Sequence, residues 1–241
     1  MKPYILLKRL NRLGTLAIMD PRFSHIRDWI FDLDNCLYPA SAGLFALIDE
    51  RMGAYIQRVL GCDPGEAKRV QKAHFHEHGT TLAGLMKHHD VDPHDFLVDV
   101  HDIPLDRVPC DERLGRLLPR LPGRRFVFTN GDAPYAWRVL EKIGVDAHFD
   151  DLHDIHSSEL RPKPDPHGYE LLCARFAIEP SHALLVDDMV QNLAPAKALG
   201  MTTVWVDNGS ERGSHGHDEA LVDLRITDVG EWLESILGDD S

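Results

Sequence analysis

The 241 residues hold 26 Lys and Arg against 39 Asp and Glu, a formal net charge of −13. That balance excludes a general DNA or RNA binder, which needs basic surface to neutralise phosphates, but it leaves room for binding one small phosphorylated molecule. Charged residues make up 27% and hydrophobic ones 43%, which excludes wholesale disorder, and no apolar run approaches the ~18 residues of a membrane helix.

The length suits one large domain, or one domain carrying an insertion. Residues 1–19 carry Lys2, Lys8, Arg9 and Arg12 and no acid. Ile5, Leu6 and Leu7 are cut off by Lys8 and Arg9, short of the about 7–15 apolar residues of a secretory signal. The segment reads as a short extension outside the fold, or an early start with Met19 as the true one, in preference to an organelle transit peptide. A first strand follows at Asp28-Trp29-Ile30-Phe31-Asp32-Leu33, an apolar run that ends abruptly in acids. From about 40 to 118 no buried strand is found. Gly43–Leu60, Pro64–His78, Thr81–His89 and a shorter His94–His101 read as helices.

A second strand, Arg125 to Thr129, ends at Asn130-Gly131. Pro134 to Ile143 is a helix closed by Gly144, and Asp165-Pro166 opens another through Tyr169, Leu172 and Phe176. A third strand, Ala183 to Val186, ends at Asp187-Asp188. Asn192 is expected to cap a helix over 193–199, closed by Gly200. A fourth strand, Thr202 to Val206, ends at Asp207, and residues 208–219 form a polar loop. These strands are apolar on both faces, the pattern of a buried parallel sheet. Alternation with helices gives an α/β fold with a doubly wound parallel sheet. The core is expected over 20–40 and 119–241, with an inserted all-α helical cap over 41–118.

Cys36, Cys62, Cys110 and Cys173 show no CxxC spacing and read as reduced thiols. The expected location is cytoplasmic, with no membrane or nucleic-acid partner.

Polar residues collect at the carboxyl ends of the strands: Asp32 and Asp34, Thr129 and Asn130, Asp187 and Asp188. In an open parallel sheet those ends form the ligand crevice, so these residues should converge. Asp32 and Asp34, two apart, leave the strand on the same side. Lys163, between Pro162 and Pro164, has a restricted backbone that favours a placed side chain. Clustered carboxylates need a cation or protons, and an all-oxygen set points to Mg²⁺. Mg²⁺, a lysine and a hydroxyl together suit a phosphate group. One carboxylate can attack phosphorus, and a second can protonate the leaving oxygen and then activate water.

Asp32-Leu33-Asp34-Asn35-Cys36-Leu37-Tyr38 resembles the first motif of the haloacid dehalogenase (HAD) superfamily. Thr129-Asn130-Gly131 resembles its second motif, Lys163-Pro164 its third and Asp187-Asp188 its fourth, all in order over about 28–206. Three further stretches are similar to the pyrimidine 5′-nucleotidase-like branch: Phe31 through Pro39, His78-Gly79-Thr80-Thr81-Leu82 with Gly84-Leu85, and Val186-Asp187-Asp188 with Asn192. The resemblance implies a Rossmann-like core. It also implies an Mg²⁺-dependent phosphatase acting on a small phosphorylated metabolite, a nucleoside monophosphate such as UMP or CMP, as a monomer or homodimer.

On the matching residues it implies Asp32 as nucleophile and metal ligand, and Asp34 as general acid/base whose carbonyl ligates the metal. Thr129 and the backbone at Asn130 would bind phosphoryl oxygens, and Lys163 would offset negative charge on nucleophile and phosphate. Asp187 and Asp188 would complete the metal site, the direct ligand left open between them. The superfamily usually has Thr or Val where this chain has Cys36. Rival readings are a phosphatase for a sugar phosphate, phosphoglycolate or a pyridine mononucleotide, a phosphomutase, and a non-catalytic regulatory protein on the same fold. A dehalogenase would need neither Asp34 nor a metal.

Other residues are assigned by the plainer alternative. Trp137 and Trp205 read as core. Tyr38, Thr80 and Thr81 are expected to face substrate. His74-Phe75-His76-Glu77-His78 holds metal-binding residue types, yet only His74 and His78 share a helix face, so solvated helix polarity is preferred there and at His88-His89.

Overall fold

The four apolar runs become neighbouring strands of one sheet in the computed structural model, which describes residues 19–209, 213–214 and 218–238. They are β1 (Asp28–Phe31), β2 (Arg124–Phe128), β4 (Ala183–Asp187) and β5 (Thr202–Val206). Two short edge strands, β3 (Asp151–His153) and β6 (Leu224–Ile226), complete an all-parallel sheet of order β3-β2-β1-β4-β5-β6. The chain is therefore α/β and doubly wound. The two edge strands escape the sequence pattern because three residues are too few to show a period. In β6 every residue is at least partly exposed, so no continuous apolar run marks it.

Alternation of side chains fills both faces of the sheet. Trp29 and Phe31 join Val127, Leu184 and Val186 in one core cluster, whereas Ile30 joins Phe126, Phe128 and Leu185 in the other. A one-residue slip of β1 would exchange these sets, so the register is strongly fixed. Trp29 also donates from Nε1 to Pro122 O at 2.8 Å.

Helices α1 (Leu44–Leu60), α2 (Pro64–His78), α3 (Thr81–His89) and α4 (Pro93–His101) stand between β1 and β2. Their ends follow local chemistry. Asp63 accepts from Gly65 N at 2.8 Å to cap α2, with Pro64 at the first position. Gly79, at φ +80°, ends α2 in the left-handed region that favours glycine. Thr80 then caps α3 by accepting from Ala83 N at 3.1 Å. Helix α5 (Glu112–Leu117) packs on the C-terminal α9 (Val229–Leu237), where Arg113 donates to Asp228 at 2.6 Å. The core carries α6 (Ala133–Ile143), α7 (Pro166–Phe176) and α8 (Val190–Leu199).

Two sequence expectations are corrected. Helix α8 begins at Val190, so Asn192 lies inside it and not at its cap. Its side chain instead donates to Asp187 at 2.9 Å. Trp137 is 37% exposed on α6, while Trp205 is buried as expected. The extension assigned to residues 1–19 lies outside the described residues except for Met19, which packs against the core. The polar loop over 208–219 is described only in part. No helix among the described residues is long and apolar enough to cross a membrane.

Candidate active site

Strand register alone brings the first two acids together. Phe31 pairs with Val186 and Val127, so the next residues, Asp32, Asp187 and Phe128, leave the sheet side by side. Lys163 reaches into this edge from the loop before α7. Its ammonium donates to Asp32 Oδ1 at 2.8 Å, Asp187 Oδ2 at 2.7 Å and Phe128 O at 2.9 Å. Those bonds use all three of its donors. Burial disfavours its charge, but Asp187 and Asp32 outweigh burial and hold its pKa above the ordinary value. Asn130 fixes the backbone that carries this lysine: Oδ1 accepts from Lys163 N at 2.7 Å and Nδ2 donates to Lys163 O at 3.2 Å. The Lys163–Pro164 peptide is cis. Thr129 is buried, and its hydroxyl accepts from Gly131 N at 3.0 Å, which shapes the turn after β2.

Asp34 is braced by two phenols. Tyr38 and Tyr135 donate to its Oδ1 at 2.6 and 2.8 Å. Burial, then the Asp34 charge, pushes both phenol pKa values up, so both stay protonated donors. Tyr38 therefore stands behind Asp34, buried to 3% exposure. Tyr135 is stacked on His101 at 4.4 Å and 10°, and His101 Nδ1 bonds Asp132 Oδ1 at 2.8 Å. A histidine from α4 and an acid that caps α6 thus meet behind this carboxylate edge. Sequence reasoning missed Tyr135, His101 and Asp132. The one available signal was Asp132 directly before Ala-Pro, a helix-start pattern.

Asp188 joins from the other side. Asn35 and Asn208 donate to its Oδ2 at 3.4 and 3.1 Å, and Trp205 Nε1 donates to its carbonyl at 3.1 Å. Ligand atoms of Asp32, Cys36 and Asp188 all lie within 4.8 Å of one another. Burial, reinforced by the Asp187 charge, pushes the Asp188 carboxyl up to about 7. Burial also raises Asp32 well above the carboxylate range, against the pull of Lys163. The Cys36 thiol is pushed up by burial and then by Asp32, so it remains a neutral thiol. Asp187 is fully engaged: Oδ1 accepts from Met189 N and Asn192 Nδ2, each at 2.9 Å, and Oδ2 from Lys163.

The edge therefore gathers the buried Asp32, Asp187 and Asp188 beside the half-buried Asp34, with the Lys163 ammonium bonded to Asp32 and Asp187. That excess of buried carboxylate fits a divalent cation, and the oxygen donors fit a hard one such as Mg²⁺. Above the edge lies a cavity of about 720 Å³. Asp34, Asn130, Gly131 and Lys163 form its floor, and Phe45, Lys68, Lys72, Phe75, Thr80 and Thr81 contribute to its cap wall.

The family model of the haloacid dehalogenase-like hydrolases matches residues 29–200. The chain belongs to that family. This HAD-like chain is 27% identical over 191 residues to Phosphate metabolism protein 8 of Saccharomyces cerevisiae, covering 72% of its own length. It spans 59% of the yeast protein, less than two thirds. In fold it is similar to the HAD phosphatase from Thermococcus onnurineus, with a TM-score of 0.58 and 21% identity over 88% of this chain and 98% of that one. It is also similar to the magnesium-bound HAD-hydrolase YfnB of Bacillus subtilis, with a TM-score of 0.58 and 15% identity over 89% and 99%.

Proposed function

We propose that the protein hydrolyses a small phosphomonoester through an aspartyl-phosphate on Asp32, and that the substrate is a pyrimidine nucleoside monophosphate, UMP or CMP. The observation that carries the phosphatase reading is Asp34. This carboxylate, two residues after Asp32, lines the cavity, and two buried phenols hold one of its oxygens. A dehalogenase has no use for such a group.

Asp32 attacks phosphorus with the oxygen that Lys163 does not hold. The phosphorus–oxygen bond to the nucleoside breaks as Asp34 passes a proton to the departing oxygen. Asp34, now a carboxylate, takes a proton from the water that attacks the phosphoryl group, and Asp32 is released as the carboxylate. Asn130 keeps Lys163 in position, and Lys163 offsets the charge that builds on Asp32 and phosphate. Thr129 and the backbone at Asn130 bind phosphoryl oxygens. Asp32, Asp188 and the carbonyl of Asp34 would hold Mg²⁺, which when bound neutralises the phosphoryl oxygens. Asp187, with both oxygens engaged, supports Asp188 as the direct ligand of the pair.

Three features support a nucleotide. The cavity volume lies within the roughly 300–1,000 Å³ of small-molecule sites. Phe45 and Phe75 line it while 48% and 37% exposed, leaving apolar ring surface for a base to cover. Thr80 and Thr81, expected from sequence to face substrate, also line it. Lys68 and Lys72 on the same wall favour a second reading, a phosphoester with another anionic group such as phosphoglycolate.

The deciding experiment is phosphate release from UMP, CMP, AMP, GMP, phosphoglycolate and sugar phosphates, with Mg²⁺ and with EDTA. Selective release from UMP and CMP is expected. Selective release from phosphoglycolate would replace the pyrimidine assignment and keep the chemistry. No Mg²⁺-dependent release from any of them would overturn both.

A further inference from the structure

The cap holds a second cluster of metal-ligating side chains, outside the catalytic edge. His74 and His78 lie one turn apart on α2. The turn at Gly79-Thr80 folds α3 back along α2, and this brings His88 to the same place. Ring nitrogens of His74, His78 and His88 all lie within 4.8 Å of one another. His78 Nε2 and His88 Nε2 are 2.9 Å apart. Burial of His74 departs from the solvated helix polarity preferred at these histidines, and α3 adds a third ring that the sequence spacing did not bring into reach.

His74 is the telling member. It is 8% exposed, and neither of its ring nitrogens has a hydrogen-bond partner. A buried polar ring without a partner is costly, and native structures rarely leave one so. Space for the ring is provided by Gly84 on α3, where any Cβ would run into the His74 ring. The ring lies parallel to His88, with centroids 5.4 Å apart and planes at 3°. A buried imidazole without a hydrogen-bond partner, packed against two others, offers a nitrogen to a ligand that the other two can share.

We propose that His74, His78 and His88 form a site for a borderline transition ion of the zinc class, separate from the Mg²⁺ site of the catalytic edge. Neutral imidazoles suit Zn²⁺, and the site lacks the oxygen-rich set a hard cation takes. Zn–N bonds of about 2.0–2.1 Å in a tetrahedral site place ligand nitrogens about 3.3 Å apart. The ring nitrogens already lie within 4.8 Å of one another, and turning the parallel His74 and His88 rings about their side-chain torsions would aim them at one ion. Three protein ligands leave the fourth position to water. Glu77, with an oxygen 3.8 Å from His78 Nε2, adds negative charge beside the ion. A bound ion would staple α2 to α3 across Gly79 and Thr80, both of which line the substrate cavity. It would thereby fix one wall of that cavity.

The test uses the full, untagged chain in millimolar Mg²⁺, which occupies the hard site. Zn²⁺ is titrated against a chromophoric chelator, and Co²⁺ is added separately as a spectroscopic probe. The expected result is one Zn²⁺ per chain at micromolar affinity or tighter, a tetrahedral Co²⁺ visible spectrum, and a Zn²⁺-dependent rise in Tm. His88→Ala changes an exposed residue and should weaken Zn²⁺ binding at least 100-fold while leaving Mg²⁺-dependent turnover in place. Asp188→Asn should leave Zn²⁺ binding unchanged. No stoichiometric binding by the wild type, or equal binding by His88→Ala, would overturn the proposal. Loss of binding in Asp188→Asn with retention in His88→Ala would do the same, by moving the ion to the catalytic edge.

Discussion

Two buried side chains, Lys163 at the catalytic edge and His74 in the cap, are treated in opposite ways. At the edge, Lys163 spends every donor on Asp32, Asp187 and Phe128 O, and Asp187 has partners on both oxygens. In the cap, neither ring nitrogen of the buried His74 has a hydrogen-bond partner, and Phe45 stands half-exposed on the cavity wall. The difference separates two tasks. The edge is set before substrate arrives, as electrostatic catalysis needs, because dipoles that are already placed need no reorganisation in the transition state. The cap keeps one buried imidazole that an ion can complete and exposed Phe45 ring surface that a ligand can cover.

The comparison breaks most severely at Lys163. Lys163→Met leaves Asp32 and Asp187 buried without their shared cation. Breaking a buried ion pair from one side costs about 3–5 kcal/mol. Urea denaturation in EDTA should show a loss of that order, and turnover should fall at least ~10³-fold. Wild-type stability in the methionine variant would mean that the edge is not organised around this lysine.

Tyr135→Phe tests the bracing of Asp34 more gently. Hydrogen bonds to charged groups contribute about 1.5–3 kcal/mol, so kcat should fall roughly 10- to 100-fold. KM should change little, since Asp34 is positioned by the phenol while substrate is not. A shift of KM alone would assign Tyr135 to binding.

Metal removal and pH sharpen the same contrast. Burial raises Asp188 to about 7 and moves Asp32 in the same direction. Each group therefore holds its proton more tightly in the folded chain than in the unfolded one. The associated stability is complete below the unfolded carboxylate pKa near 4 and is lost as pH rises toward 7. In EDTA, Tm should fall across that window. Mg²⁺ should raise Tm most near pH 7 and least near pH 5. A flat Tm profile in EDTA would show that these carboxyls are not strained by burial.

The smallest effect is expected in the cap. Phe75→Ala removes ring surface from the cavity wall and should raise KM for UMP several-fold with kcat nearly unchanged. An equal loss in kcat would place Phe75 in the closure of the site and not in base recognition.

Much of this molecule was legible from local chemistry. Apolar runs two-sidedly buried, such as Trp29-Ile30-Phe31, announce central parallel strands, and the acids that follow them fall at the strand ends by necessity. Asp63-Pro64 and Thr80 mark helix starts through their own backbone bonds. What stayed hidden depends on contacts distant in sequence. Tyr135 meets Asp34 across 101 positions, and His101 meets Asp132 across 31. Asn192 reads as a cap by type, but burial turns it toward Asp187. His88 joins His74 only through the α2–α3 turn, and Trp137 reads as core by residue type although its helix turns it outward.

The account rests on Asp32 as the atom donor to phosphorus. The most direct measurement is mass spectrometry of the peptide spanning Asp32 after acid quench of the Mg²⁺-loaded enzyme mixed with UMP, run alongside Asp32→Asn. A phosphoryl group on Asp32 in the wild type, with no phosphate release from Asp32→Asn, is the predicted result. Phosphate release with no modified Asp32, or near-normal turnover in Asp32→Asn, would contradict it.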